Sequence, residues 1–206
     1  MKLLLATNNP HKRREIEALL GPLGIEVVAP GDIGGIPDVE EDRDTFEGNA
    51  AKKAASAARA TGLWSLADDS GLAVDHLGGD PGVLSARYAG THGDDEANNE
   101  KLLRELDGVP EEDRGARFIA ALALADPAGE VALEVRGETH GVIQCARSGQ
   151  NGFGYDPLFR FAEAGYPQEG RTFAEIPQHE KSTVSHRGRA LKLLAERLPA
   201  MLDSEA

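Results

Sequence analysis

Four stretches of the 206-residue chain carry side chains whose types and spacing could do chemistry. The first is Thr7-Asn8-Asn9-Pro10-His11-Lys12, between an apolar run and a helical pattern. Backbone N–H groups at a helix start attract anions, and Lys12 adds a positive charge in the first turn. Ordinary capping by Asn9 accounts for the same residues. The second is carboxylate density, with Glu40-Glu41 in one loop and Asp68-Asp69 in another. Hard cations such as Mg2+ take oxygen ligands, commonly one or two carboxylates together with phosphate oxygens. Asp68-Asp69 follows apolar Leu66-Ala67 and precedes Ser70-Gly71, which places it at a strand end near the interior. An acidic chain carries such pairs elsewhere too.

The third stretch is Gly149-Gln150-Asn151-Gly152-Phe153-Gly154-Tyr155-Asp156. Glycines let a backbone approach a ligand closely. Phe153 or Tyr155 offers a stacking face for a planar base, and Asp156 offers an acceptor for ring N–H groups. A turn with two aromatics tucked into the core reads the same way. The fourth is Lys181 with Ser185-His186-Arg187. If Ser185 caps the last helix, His186 and Arg187 stand in its first turn, where cations oppose the helix dipole. That placement points to an anionic or carbonyl-bearing ligand, unless the long arginine simply reaches elsewhere.

Other chemistries are excluded by pattern. No Gly-Lys-Ser/Thr triplet exists, so there is no P-loop, and the glycines at 149–154 do not follow Gly-x-Gly-x-x-Gly. His179-Glu180 lacks a second histidine at Thr183, so the zinc-protease motif is absent. Asp68 stands where a nucleophile elbow around Ser70 needs glycine. The histidines are scattered, and the single cysteine, Cys145, allows neither an intrachain disulfide nor a thiolate metal cage.

These residues need elements to position them. Lys2–Ala6 reads as a strand buried on both faces, followed by a helix capped at Asn9-Pro10, with Ile16, Leu19, Leu20 and Leu23 inward and a stop near Gly21. Ile25–Ala29 reads as a second strand, and strand–helix–strand in so short a span predicts a parallel pair. Residues 30–43 form an acidic loop. Asp44 and Glu47 can cap an alanine-rich helix that ends at Gly62. Leu63–Ala67 and Leu72–Leu77 read as short strands flanking the polar turn 68–71. A helix over Asp95–Leu106 follows, then strands Ala116–Ala125 and Glu130–Glu138 joined by Asp126-Pro127-Ala128-Gly129. Thr172 and Glu175 repeat the capping-box pattern, and Ser185 precedes a final helix with Leu191, Leu194, Leu198 and Leu202 inward.

Composition bounds the rest. Lys+Arg number 22 against 35 Asp+Glu, a formal charge of −13, which argues against general duplex-DNA binding. The longest apolar run, Phe118–Ala125, is eight residues, far short of the ~18–20 that span a bilayer. The N-terminus reads as a first strand and not as a signal peptide, and the lone cysteine suits a reducing, intracellular compartment.

In order and spacing, the four stretches closely resemble the inosine/xanthosine triphosphate pyrophosphatases, the Ham1-like non-standard purine NTP diphosphatases. The matching pieces run from Leu5 to about Leu194. They are Thr7-x-Asn9-x-x-Lys12; Glu40-Glu41 with Thr45-Phe46; Asn49-Ala50-x-x-Lys53-Ala54; and Ala67-Asp68-Asp69-Ser70-Gly71-Leu72. Further on come Pro81-Gly82 with Ser85-Ala86-Arg87-Tyr88; Gly152-Phe153-Gly154-Tyr155-Asp156-Pro157; and Glu180-Lys181 with Ser185-His186-Arg187-Gly188. Gly48 departs from the pattern, standing where many members carry an acidic residue, and Tyr155 stands where some carry Trp. The insert at 165–169 has no role in the resemblance.

The resemblance implies an α/β fold, with a long mixed β-sheet flanked by helices and one domain over 1–206 whose two lobes surround a central nucleotide-binding cleft. It implies Mg2+-dependent hydrolysis of ITP, dITP and XTP to the monophosphate and pyrophosphate by a cytoplasmic homodimer. On that reading Thr7, Asn8, Asn9, Pro10, His11 and Lys12 cradle the triphosphate, and Glu40 and Asp69 hold Mg2+. Asp69 also activates the attacking water, and Lys12 and Lys53 stabilise the departing pyrophosphate. Ser70 hydrogen-bonds the substrate. Phe153 stacks on the purine in a wall with Gly154 and Tyr155, and Asp156 accepts from its ring N–H. Lys181, His186 and Arg187 donate toward the 6-oxo group, which adenine lacks. Two alternatives stay open: a purine-nucleotide sensor that has lost hydrolysis, and a Maf-like pyrophosphatase acting on pyrimidine triphosphates.

Overall fold

The structure, a computed structural model, describes residues 2–7 and 9–203, with the side chains at 11, 19, 23 and 199–203 left aside. Asn8 and the side chains of His11, Leu19, Leu23 and Leu202 therefore lie outside the described residues. Six strands form one sheet in the order β2-β1-β3-β4-β5-β6. They are β1 (Lys2–Leu5), β2 (Glu26–Val28), β3 (Trp64–Val74), β4 (Gly115–Ala125), β5 (Val131–Ile143) and β6 (Phe159–Phe161). The helices are α1 (Pro10–Leu20), α2 (Phe46–Thr61), α3 (Asp95–Glu105), α4 (Gln178–Val184) and α5 (His186–Asp203). The expected α/β class and helix-flanked sheet are as observed.

The chain divides into two compact units. The first comprises residues 1–69, 120–137 and 187–206; the second comprises 70–119 and 138–186. In the first unit β1 is apolar throughout its interior, and Leu3, Leu4 and Leu5 are fully buried. Such a strand must be covered on both faces. It pairs in parallel with β2 and with β3, in register Leu3↔Val27 and Leu5↔Leu66. Ile16 and Leu20 of α1 and Leu191, Leu194 and Leu198 of α5, at helical spacing, complete this core. The alanines of α2 (Ala50, Ala54, Ala57, Ala58) are buried. The second unit has its own core of Leu72, Val74, Leu102, Leu106 and an aromatic group. In that group the Phe118 ring lies parallel to Phe173 at 5.8 Å.

The structure corrects several expectations. Residues 68–71 are not a turn: β3 runs unbroken from Trp64 to Val74 through them. Polar residues favour turns when their side chains bond locally, but the carboxylates here find cations from distant segments. The cap of α2 is Thr45, whose Oγ accepts from Gly48 N–H at 3.1 Å, and not Asp44; Glu47 pairs instead with Arg136. Glu175 accepts from Thr172 N–H, yet residues 173–175 form a turn, and the next helix, α4, starts only at Gln178. The strand expected over Glu130–Glu138 continues to Ile143. Two short elements, β6 and α4, had no sequence signal of their own.

Candidate functional site

In the first unit, the turn after β1 is built by nested side-chain acceptors. Thr7 Oγ accepts from Asn9 N–H at 3.2 Å, and Asn9 Oδ1 accepts from Lys12 N–H at 3.3 Å. These satisfy donors that a helix start leaves open and fix where the first turn points. Pro10 is the exposed first residue of α1. Lys12 forms an ion pair with Asp68 Oδ1. Arg187, at the start of α5, donates through Nε to Asp68 Oδ2 at 2.9 Å and through Nη1 to Glu15 Oε2 at 2.6 Å. Glu15 stands one turn after Lys12, so α1 holds both ends of this four-residue chain on one face.

Asp68 is 2% exposed and Arg187 3%. Burial alone would raise the Asp68 carboxyl, but the charges of Arg187 and Lys12 outweigh it and hold the group well below the usual carboxylate range. The same burial pulls the Lys12 ammonium down, and Asp68 only partly restores it. Asp68 is thus consumed as the anchor of two cations.

Asp69 is different. Lys53 of α2 donates to Asp69 Oδ1 at 2.9 Å, to Glu41 Oε1 at 2.8 Å and to the Asp68 carbonyl at 2.9 Å. Asp69 Oδ2 is buried and has no hydrogen-bond partner among the described residues. Burial lifts the Asp69 carboxyl above its ordinary value, the Lys53 charge opposes that, and Glu41 adds to it. An uncompensated carboxylate oxygen of this kind is an acceptor held ready for a proton or a cation. Counted together, Lys12, Lys53 and Arg187 face Glu15, Glu41, Asp68 and Asp69, three cations against four carboxylates.

The acidic loop is seated on α2 at Asn49, Lys52 and Gly48, all within little more than one turn. Asn49, 1% exposed, accepts from Arg43 N–H at 3.0 Å and donates to its carbonyl at 3.3 Å. Lys52 donates to the Glu40 carbonyl and to Asp42 Oδ1, both at 2.8 Å. The loop lies so close that a Cβ on Gly48 would stand 3.0 Å from Arg43 Cβ, which is a packing reason for glycine there. The seating turns Glu41, and not the expected Glu40, toward Lys53 and Asp69. Neighbouring residues of an extended segment point to opposite sides, and the Glu40 side chain belongs to an exposed residue. No cluster of three or more metal-ligating side chains occurs among the described residues.

In the second unit, the loop at 149–157 is anchored to α3. Asn99 Nδ2 donates to Gly154 O at 2.8 Å, and Gly154 N–H donates to Asp95 Oδ2 at 2.7 Å. Asp156 Oδ2 accepts from Phe153 N–H at 3.0 Å and from Lys181 Nζ at 2.5 Å. A Cβ on Gly152, whose φ is +79°, would fall 1.9 Å from that same oxygen. Lys181 Nζ lies 5.5 Å from the centre of the half-buried Phe153 ring. The His186 ring stacks on Phe118 at 4.8 Å. Tyr155 belongs to the core, 4% exposed, with its hydroxyl donating to Ser85 O at 2.9 Å. It is therefore packed beneath the loop and does not form an open wall beside Phe153. Ser70 is half-buried within β3.

Sequence reasoning placed Lys181, His186 and Arg187 in one donor group. The structure keeps the first two in the second unit and gives Arg187 to Asp68 and Glu15 in the first. It also adds three residues: Glu15, Glu41 and, as an anchor, Asp68. Glu15 was detectable from its three-residue spacing after Lys12. The choice between Glu40 and Glu41 had no sequence signal.

The chain matches, over residues 3–197, the family model described as the Ham1 family. It is 52% identical over 197 residues, covering 96% of each chain, to the dITP/XTP pyrophosphatase of Geobacter sulfurreducens. Among solved structures it is similar to a HAM1 protein from Coxiella burnetii, with a TM-score of 0.87 at 39% identity, over 97% of this chain and 99% of that one. It is also similar to the Staphylococcus aureus Ham1 protein, with a TM-score of 0.83 at 36% identity, over all of both chains.

Proposed function

The chain belongs to the Ham1 family and is a hydrolase, and from that premise we propose that it cleaves ITP, dITP and XTP to the monophosphate and pyrophosphate. The observation that carries this reading is the contrast between the neighbouring aspartates. Asp68 is saturated by two cations, while Asp69 keeps one buried oxygen without a partner.

The donor set fits a hard divalent cation. It is all oxygen, one of its atoms is orphaned, and the cluster around it carries one more carboxylate than cation. Asp69 with Glu41, the acidic-loop carboxylate that shares Lys53 with it, would hold Mg2+, which would supply neutralisation of the phosphate charge. Without such compensation the cluster's excess negative charge would repel a triphosphate.

The chain's own residues supply the remaining work. The Lys12 ammonium, at the positive end of the α1 dipole, receives phosphate oxygens. A water attacking the α-phosphorus gives its proton to Asp69, whose carboxyl pKa is lifted by burial above its ordinary value. The bond from the α-phosphorus to its bridging oxygen breaks, and Lys53 and Lys12 stabilise the charge that develops on pyrophosphate. In the second unit, the Phe153 ring stacks on the purine. Lys181, held by Asp156, and His186 donate to its 6-oxo group. Adenine presents an amino donor there and leaves these donors unpaired, a mismatch that reaches roughly 10⁴–10⁵ in favourable cases. The homodimer and the cytoplasmic placement belong to the same proposal; no helix among the described residues is long and apolar enough to cross a membrane.

The test is pyrophosphate release from ITP, dITP, XTP, ATP and GTP with and without Mg2+. ITP turnover far above ATP turnover, with Mg2+ required, is expected. Equal rates on ATP and ITP would refute the donor argument, and orthophosphate as first product would move the cleavage to the β–γ bond.

A further inference from the structure

The second unit contains a cavity of about 690 Å³ that the nucleotide chemistry does not use. Its wall is formed by Leu103 and Arg104 at the end of α3, the 107–110 loop, Arg114 and Cys145. The loop that carries Phe153 is tied to Asp95 and Asn99 at the other end of α3. The nine helical steps from Asp95 to Arg104 correspond to about 14 Å along the axis.

The unusual group in this wall is Arg114. Its residue is 4% exposed, yet no carboxylate pairs with it among the described residues. Its Nε donates to Val109 O at 2.9 Å and Nη2 to Leu106 O at 2.6 Å. These carbonyls belong to the end of α3 and the loop after it, where the helix dipole offers a partial negative charge. That explains why an arginine sits here but leaves it incompletely paired: Nη1 is buried with no hydrogen-bond partner among the described residues. A buried donor left unmade costs about 1–3 kcal/mol, and more on a charged group. The guanidinium edge not used by the carbonyls is the fork that receives a carboxylate through two parallel hydrogen bonds.

We propose that this cavity binds a small organic monocarboxylate, with the carboxylate on Arg114 and the apolar body against Leu103, Val109 and Pro110. Charge sets the choice of a monoanion. Arg104 and Arg114 against Asp107 leave one net positive charge in the wall, and three apolar side chains suit an organic body over a bare inorganic ion. The volume falls in the ordinary range of small-molecule sites, about 300–1,000 Å³. Nη1 is covered in this structure, so binding there includes a local opening of the cavity wall.

Cys145 makes the test direct, because it lines the cavity, is exposed and is the only cysteine in the chain. The full-length protein is alkylated with iodoacetamide in benzoate, in its neutral isostere benzamide, or in orthophosphate, at matched ionic strength. At about ten times its dissociation constant, benzoate is expected to slow alkylation about tenfold and to raise Tm with concentration, by mass action. Benzamide and orthophosphate are expected to do neither. Arg114→Met removes the benzoate effect. If that variant fails to fold, Leu103→Trp, which fills the cavity and keeps the guanidinium, is expected to remove it equally. The proposal is overturned by equal protection from benzamide, by stronger protection from orthophosphate, or by protection that survives either substitution. Absence of protection up to about 50 mM benzoate, the weak limit for so small a ligand, overturns it as well.

Discussion

Replacing Asp68 by asparagine leaves the shape of the side chain and removes one charge from the most buried ion pairs in the first unit. Arg187 then keeps Glu15 but loses a buried charged partner, and Lys12 loses the carboxylate it pairs with. Removing one partner of a buried pair costs about 3–5 kcal/mol. Lys12 retains 16% of its side-chain exposure and can turn toward water, which argues for the lower end. For a chain of this size about 3 kcal/mol corresponds to a Tm lower by roughly 6–12 °C. The control is Asp69→Asn. Lys53 keeps Glu41 and the Asp68 carbonyl, and the substitution relieves a carboxylate whose ionisation burial already disfavours. Its stability change is expected within about 1 kcal/mol of zero, while turnover is lost. Urea unfolding in the absence of Mg2+ and pyrophosphate release on both variants check the pair. A loss below about 1 kcal/mol for Asp68→Asn would refute the anchor assignment, and near-normal turnover of Asp69→Asn would refute the assigned base.

Acid should expose the same anchor. The folded Asp68 carboxyl lies below its unfolded value near ~3.9, so its contribution is complete above that pH and shrinks as pH falls toward the folded value. Wild-type Tm should therefore fall more steeply than that of Asp68→Asn as pH drops from about 5 to 3; parallel thermal profiles would contradict it. Gly152→Ala places a methyl against Asp156 Oδ2 at a positive φ, and the expected result is a raised KM for ITP with a smaller change in kcat, checked by steady-state kinetics. Lys181→Met should narrow the ITP/ATP ratio of kcat/KM by about tenfold or more; an unchanged ratio would exclude Lys181 from base selection. Glu41→Gln should raise the Mg2+ concentration giving half-maximal rate more than Glu40→Gln does, since Glu41 is the glutamate tied through Lys53 to Asp69.

The residue pattern settled much of this protein on its own. Local rules suffice wherever a segment's environment follows from its own spacing: the doubly buried β1, the Asn9 cap of α1, the alanine face of α2, and Leu191, Leu194 and Leu198 of α5. The candidate residues were visible for the same reason, because carboxylate pairs, a glycine loop and a cationic helix start are unusual as local patterns. Tertiary structure decided what each charge does. Asp68 and Asp69 are neighbours of the same type, and only the arrival of Lys12 and Arg187 from opposite ends of the chain makes the first an anchor. The second keeps an unpartnered oxygen because Lys53 reaches only one side of it. Glu40 and Glu41 differ by which way an extended loop faces once Asn49 and Lys52 seat it on α2. A buried charge takes its role from its partners, and the partners of these lie as many as 119 positions away.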